Sequence, residues 1–203
     1  MARILVVFHS TSGHVYRLAA ALADGVRAVG SCEAIVKQVP ETISAGGPIG
    51  PDYLAKRAAF ADLPVADPDE LDDYDGIAFG TPVHLGGMSS AMRTFLDQTG
   101  DLWVTKSLIG RPATVFVASG TGAGRETAIL SFWQALAIHG MVIVPIGMRP
   151  PELSDVSQVH GGSPLGAGTI ASGPGDRPSE QELRIAEAQG FAFAEITRAL
   201  TDR

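Results

Sequence analysis

Cysteine is almost absent. Cys32 is the one cysteine in 203 residues, which excludes an internal disulfide and fits a reducing compartment. Basic runs are missing as well. Lys and Arg number 15 against 22 Asp and Glu, for a formal net charge of −7, and no cationic cluster offers a footprint for nucleic acid or an anionic membrane. No apolar stretch approaches the roughly 20 residues that span a bilayer. The opening apolar run ends at Phe8 in polar loop, too short for a signal peptide. No His/Cys/Asp cluster has metal-ligand spacing, so no metal is expected, and no Gly-x-Ser-x-Gly elbow supports a hydrolase. These absences leave a soluble, cytoplasmic chain. With 45% hydrophobic residues it can bury one substantial core, as a single domain over 1–203.

What is present is organised around the first fifteen residues. Arg3-Ile4-Leu5-Val6-Val7-Phe8 is an apolar, β-branched run that reads as a buried strand. It breaks into His9-Ser10-Thr11-Ser12-Gly13-His14, and a helical pattern starts at Val15. A helix start offers unpaired N–H groups and the positive end of its dipole, and Ser and Thr hydroxyls add donors, so this loop suits a phosphate. It lacks the Gly-Lys-Ser/Thr of an ATP loop and is not G-x-G-x-x-G, which disfavours ATP hydrolysis and a dinucleotide clamp. A terminal monophosphate is the better guest. Ordinary loop and N-cap residues are the plainer alternative.

Four more apolar runs follow: Glu33–Val39, Gly76–Gly80, Ala113–Ala118 and Met141–Pro145. Helical periodicity separates them, with Val15, Leu18, Leu22 and Val26 on one face and Gly30 closing the first helix. A further helix is expected over 52–60. Ser179 and Glu182 form a capping box that opens a last helix with Leu183, Ala186, Phe193, Ile196 and Leu200 inward. From Asp62 to Asp75 there are seven acids and no base, which reads as a solvated connection with an acidic first turn. Strands alternating with helices, each strand continuously apolar, predict an α/β fold: a doubly wound five-stranded parallel sheet of order 2-1-3-4-5 with helices on both faces. Its ligand belongs at the carboxyl ends of strands one and three. Three polar or glycine-rich loops converge there. Thr81-Pro82-Val83-His84-Leu85-Gly86-Gly87 can lie along a flat ring, and Ser119-Gly120-Thr121-Gly122-Ala123-Gly124 can wrap its other edge. Residues 150–178 hold much of the glycine and proline with little periodicity, and read as a long functional or interface loop.

Several strings resemble one family. Gly80-Thr81-Pro82 with Gly86-x-Met88-Ser89, Met92-Arg93-Thr94-Phe95-Leu96-Asp97-Gln98-Thr99-Gly100, Gly120-Thr121-Gly122, His139–Gly147 and Glu152-Leu153 through Val159 are strongly similar to the WrbA-type NAD(P)H:quinone oxidoreductases. The resemblance runs nearly end to end. It implies a flavodoxin-like fold, FMN, two-electron reduction of quinones by NADH or NADPH, and a homotetramer. By position, the FMN phosphate would meet Ser10, Thr11, Ser12, Gly13, His14 and Val15. The ring and ribityl chain would meet the second loop at Thr81, Pro82, Val83, His84 and Leu85, and the third at Ala118, Ser119, Gly120, Thr121, Gly122 and Ala123. Trp103 matches the family's aromatic beside the open ring face, and Ser12 also borders the substrate. The family commonly has tyrosine where this chain has Ser12, Arg-Phe where it has His84-Leu85, and His-His where it has Ile138-His139. All three departures remove aromatic or cationic groups around the flavin.

The expected reaction is ping-pong, with hydride passing from NAD(P)H to flavin N5 and two electrons then passing to a quinone at the same face. No protein nucleophile is needed. His84 is the candidate proton donor, while His9 and His160 read as loop residues. Two other classes fit the residues: a one-electron carrier, and an FMN-binding assembly or partner protein with weak activity. Carriers usually sandwich the ring between aromatics, and the Thr81–Met88 loop has none.

Overall fold

The apolar runs build one sheet in a computed structural model that describes residues 1–42, 55 and 57–201. Its strands are β1 (Ala2–Phe8), β2 (Cys32–Gln38), β3 (Gly76–His84), β4 (Gly87–Met88), β5 (Pro112–Ser119), β6 (Val142–Ile143) and β7 (Gly168–Ile170). The order β2-β1-β3-β5-β6 is the doubly wound order predicted. Phe8 pairs with Gly80 and Pro82 with Ala118 in parallel register, so the loops after β1, β3 and β5 leave the sheet at one edge. The winding reverses between β1 and β3, and a crevice opens at such a point.

Two short strands exceed the five expected. β4 turns back antiparallel on the end of β3. β7 is the more consequential. β6 pairs with the start of β5 at Pro112 and Ala113, whereas β7 pairs with its end at Val117, Ala118 and Ser119. The fifth strand position is therefore filled by two pieces of chain. The glycine- and proline-rich stretch is not all loop, because it interrupts that strand and then completes it.

Alternation along β1 sorts the core. Ile4, Val6 and Phe8 face α1 (His14–Arg27), while Leu5 and Val7 face the opposite layer. That layer holds α2 (Ser90–Asp97), α3 (Gly100–Thr105) and α4 (Arg125–Ile138). The last helix, α5 (Glu180–Thr201), packs on α1. Two glycines permit their close approach: a Cβ on Gly25 would lie 1.9 Å from the Glu187 carbonyl oxygen, and one on Gly190 would lie 1.9 Å from that of Leu22.

Two expectations are corrected. α1 ends at Arg27, and the left-handed residue after it is Ser31 (φ 70°), not Gly30. α5 buries Ala186 and Phe193 as expected and packs Ile196 against the core, but it also buries polar Glu182, Gln189 and Thr197, while Leu183 and Leu200 are only half-buried. Glu182 and Gln189 face main chain around the interrupted strand, where donors and acceptors need partners, while Thr197 donates back to the Phe193 carbonyl of its own helix. Gln189 accepts from Ala167 N–H (2.6 Å) and donates to the Val115 carbonyl (3.0 Å). The helix expected over 52–60 lies mostly outside the described residues; of its end, Ala55 and Arg57 are helical and Ala58–Phe60 forms a final turn. The Ser179–Glu182 capping box forms, with Ser179 N–H donating to Glu182 Oε2 at 2.8 Å and Glu182 N–H to Ser179 Oγ at 3.3 Å. The acidic stretch supplies a capped turn, Pro68–Asp73, with Asp67 as N-cap.

Candidate functional site

The loop after β1 closes on itself. Gly13 takes φ 84°, a left-handed conformation natural to glycine, and α1 starts at the next residue. Ser10 Oγ accepts from the N–H groups of Gly13 (3.1 Å) and Tyr16 (3.4 Å), so the serine fixes the loop against the helix start. Ser12 Oγ lies 2.8 Å from His14 Nδ1. Below the loop, Phe8, Tyr16 and Phe60 stack with ring centroids 5.1–5.8 Å apart, which anchors both its ends.

His9 lies in the loop after β1, as expected, but it is buried there, at 2% exposure. Its Nδ1 lies 2.8 Å from Ser89 Oγ and its Nε2 3.3 Å from Glu41 Oε2. A carboxylate only accepts, so Nε2 carries the hydrogen in the neutral ring and Nδ1 accepts from Ser89. Burial lowers the His9 pKa, although Glu41 opposes the shift. Ser89 also caps α2, accepting from Met92 N–H (3.3 Å), and its N–H donates to Thr81 Oγ1 (3.0 Å). Thr81 is fully buried in this network. His9, Ser89 and Thr81 thus bolt the first loop to the second.

The second loop is a two-residue hairpin. Leu85 (φ 51°) and Gly86 (φ 80°) both lie in the left-handed region, the signature of a type I′ turn. Glycine or asparagine is usual at its first position. Leu85 instead bears the strain with its side chain wholly exposed. In the third loop, Ser119 Oγ accepts from Gly122 N–H (3.0 Å) and donates to the Ala123 carbonyl (3.0 Å). A Cβ on Gly124 (φ 73°) would come within 3.0 Å of Gly86 Cα, so the second and third loops touch.

Between the loops lies a cavity of about 420 Å³ lined by Ser10, Thr11, Ser12, His14, Val15, Pro82, Val83, His84, Ala118, Gly120, Ala171 and Ser172. Its size suits a small ligand or cofactor. Ten of the residues named from the sequence are in this lining. Gly13, Thr81, Ser119, Thr121, Gly122 and Ala123 shape the loops behind it, and Leu85 stands at the hairpin tip. Ala171 and Ser172 went unnamed. They follow β7, and their N–H groups donate to the Ser119 (2.8 Å) and Gly120 (2.9 Å) carbonyls. With β7 separated from the rest of its strand in sequence, only the short run Thr169-Ile170 hinted at them.

The lining fits FMN. One end is hydroxyls and a helix start with no acidic side chain among the described residues, as an anion requires; the other is Pro82, Val83, Ala118, Gly120 and Ala171, small and apolar enough for a flat ring.

Trp103 is elsewhere. It lines a second groove of about 350 Å³ with Arg93, Thr99, Ile138 and His139, and no residue is common to the two linings. α4 begins at the third loop and is 14 residues long, so at about 1.5 Å per residue its far end lies roughly 20 Å away. Ile138 and His139 sit at that far end. Thr99 Oγ1 donates to the Leu96 carbonyl (2.7 Å), so the 2.9 Å contact with His139 Nε2 has histidine as donor. Burial lowers the His139 pKa. A larger cavity, about 530 Å³, lies between α1 and α5, beside Pro150, Pro151 and Phe191, away from the three loops. Among the described residues, no three His, Cys, Asp or Glu side chains cluster as metal ligands, and no helix is long and apolar enough to cross a membrane.

Residues 3–148 match the family model described as NADPH-dependent FMN reductase. Among solved structures, the chain is similar to a flavodoxin, WrbA-like protein from Agrobacterium tumefaciens (22% identity, TM-score 0.63), covering 98% of this chain and 99% of that one. A flavodoxin from the domain Archaea is 19% identical (TM-score 0.62), over 97% of this chain and 99% of its own. A flavone reductase is 13% identical (TM-score 0.60), over 98% and 64%. These likenesses place the fold among flavodoxins.

Proposed function

The chain belongs to the NADPH-dependent FMN reductase family and is an FMN-dependent oxidoreductase; from that premise we propose that it reduces quinones with electrons from NADH or NADPH. The observation that carries this reading is the convergence of three loops on one cavity, with an anion cradle at one end and an apolar slot at the other. Bound FMN would supply two-electron transfer between the nicotinamide nucleotide and the quinone. The chain's own residues hold and orient it. Ser10, Thr11, Ser12, His14 and Val15 take the phosphate through hydroxyl and main-chain donors, on a turn set by Gly13. Pro82, Val83 and Ala118 exclude water from the ring, and the locked second and third loops aim main-chain groups at its edge. His84, exposed on the rim, is the proton donor to the reduced acceptor. Trp103, Ile138 and His139 meet a flavin only if they come from another copy, which supports the homotetramer. The exposed apolar side chains there, Trp103 (56%), Ile138 (71%) and Ile109 (61%), fit such a contact.

The test is NADH or NADPH consumption by FMN-loaded protein with benzoquinone as acceptor. Turnover above that of the same concentration of free FMN supports the reading, and an equal rate contradicts it. Multi-angle light scattering checks the assembly, where a monomer would count against the role given to Trp103.

A further inference from the structure

Among the described residues, the cradle's lining holds no Lys or Arg, yet a phosphate monoester brings close to two negative charges. Arg17, one turn into α1, is held away by Asp176, whose two oxygens accept from both terminal nitrogens at 2.9 Å. One guanidinium does reach the loop, from behind. Arg57 Nη1 donates to the main-chain carbonyl of Ser10 at 2.8 Å. Its place is heavily determined: Nη1 also meets Glu41 Oε2 (3.0 Å), Nη2 donates to Gln38 Oε1 (3.2 Å), and Cζ sits 5.1 Å above the Phe60 ring. Glu41 is shared with His9 at 3.3 Å. Arg57 is 18% exposed, so its field is screened less than that of a surface cation.

The Ser10 carbonyl belongs to the same peptide group as the Thr11 N–H, and in a trans peptide the two point opposite ways. A cation on the carbonyl therefore leaves the N–H directed away from it, and Thr11 lines the cavity. Hydrogen bonding at one end of a peptide polarises the other. We propose that Arg57 is the positioning residue that serves the phosphate cradle, strengthening the Thr11 N–H as an anion donor through the Ser10–Thr11 peptide without touching the anion. The inference rests on the FMN reading above. It adds a specificity consequence: Arg57 contributes to binding of the phosphorylated flavin and not of its dephosphorylated form.

The experiment compares dissociation constants for FMN and riboflavin, by flavin fluorescence quenching, in wild type, Arg57→Gln and Arg57→Lys. Arg57→Gln should weaken FMN by about tenfold or more, the scale of a lost charge-assisted hydrogen bond, and leave riboflavin within about twofold. Arg57→Lys keeps the charge without the fork and should fall between. Riboflavin affinity is the control for folding; if Arg57→Gln does not fold, Arg57→Lys reads the same ratio. Equal weakening of both flavins, or an unchanged ratio, overturns the inference while leaving the cofactor reading intact. A wild-type chain that binds neither flavin overturns both.

Discussion

Glu182 shows how much one buried side chain carries. Its Oε1 accepts from Gly161 N–H (2.9 Å) and Ile170 N–H (3.2 Å) and meets Arg177 Nη1 at 3.2 Å; its Oε2 accepts from Thr169 Oγ1 (2.7 Å) and Ser179 N–H (2.8 Å). Every neighbour is a donor, so Glu182→Gln points an amide N–H₂ at donors. We expect a loss of about 2–4 kcal/mol, read as a lower urea midpoint with unchanged slope. Burial pushes the Glu182 pKa up, but the hydrogen bonds outweigh it and the net shift is down from 4.5. Its stabilisation is therefore present above the unfolded pKa and is lost as pH falls through the folded one. His9 runs the other way in charge, since burial lowers its pKa from 6.5. The unfolded chain then binds more protons between the folded pKa and about 6.5, so stability falls as pH drops through that window. His9→Gln should flatten that part of the pH–stability curve, and an unchanged slope would place the titration elsewhere, His139 being the other histidine lowered by burial.

At the scale of elements, the helix pair α1 and α5 depends on absent side chains. Gly190→Ala would drive a methyl into the Leu22 carbonyl, and we expect about 1–3 kcal/mol of destabilisation, visible in thermal melts. Cofactor affinity at temperatures where the variant is folded should change little, because the contact lies away from the three loops. The sheet, its order and the three loops were legible in the sequence because β1, β3 and β5 are long, apolar and each followed by a polar or glycine-rich break. Of the fifth strand only the first piece was legible, within Met141–Pro145, because Val142-Ile143 and Gly168-Thr169-Ile170 occupy one position in the sheet from distant parts of the chain. Periodicity was right only in part at α5, placing Ala186 and Phe193 inward but not the buried polar residues. A helix that must satisfy main-chain groups of an interrupted strand buries Glu182 and Gln189, where the apolar pattern pointed to Leu183 and Leu200. The same interruption hid Ala171 and Ser172 from the site. His9 escaped for another reason: its partners Glu41 and Ser89 meet it only once the loops are folded.

For the whole molecule, the cradle and the aromatic groove stand at opposite ends of α4, so the proposed homotetramer would tie chemistry to assembly. Trp103→Ala should leave FMN affinity of the isolated chain within about twofold, yet lower kcat/KM for quinone if copies complete one another's sites. Steady-state kinetics beside light scattering separates the two effects. The central claim is that this fold holds FMN and passes it electrons from a nicotinamide nucleotide. The most direct measurement is the visible absorbance of FMN-loaded protein mixed anaerobically with NADH or NADPH, followed by benzoquinone. Bleaching of the flavin band faster than for free FMN, and its return on adding the quinone, is the predicted result. Flavin that passes freely through a desalting column, or bleaching no faster than for free FMN, would contradict the account.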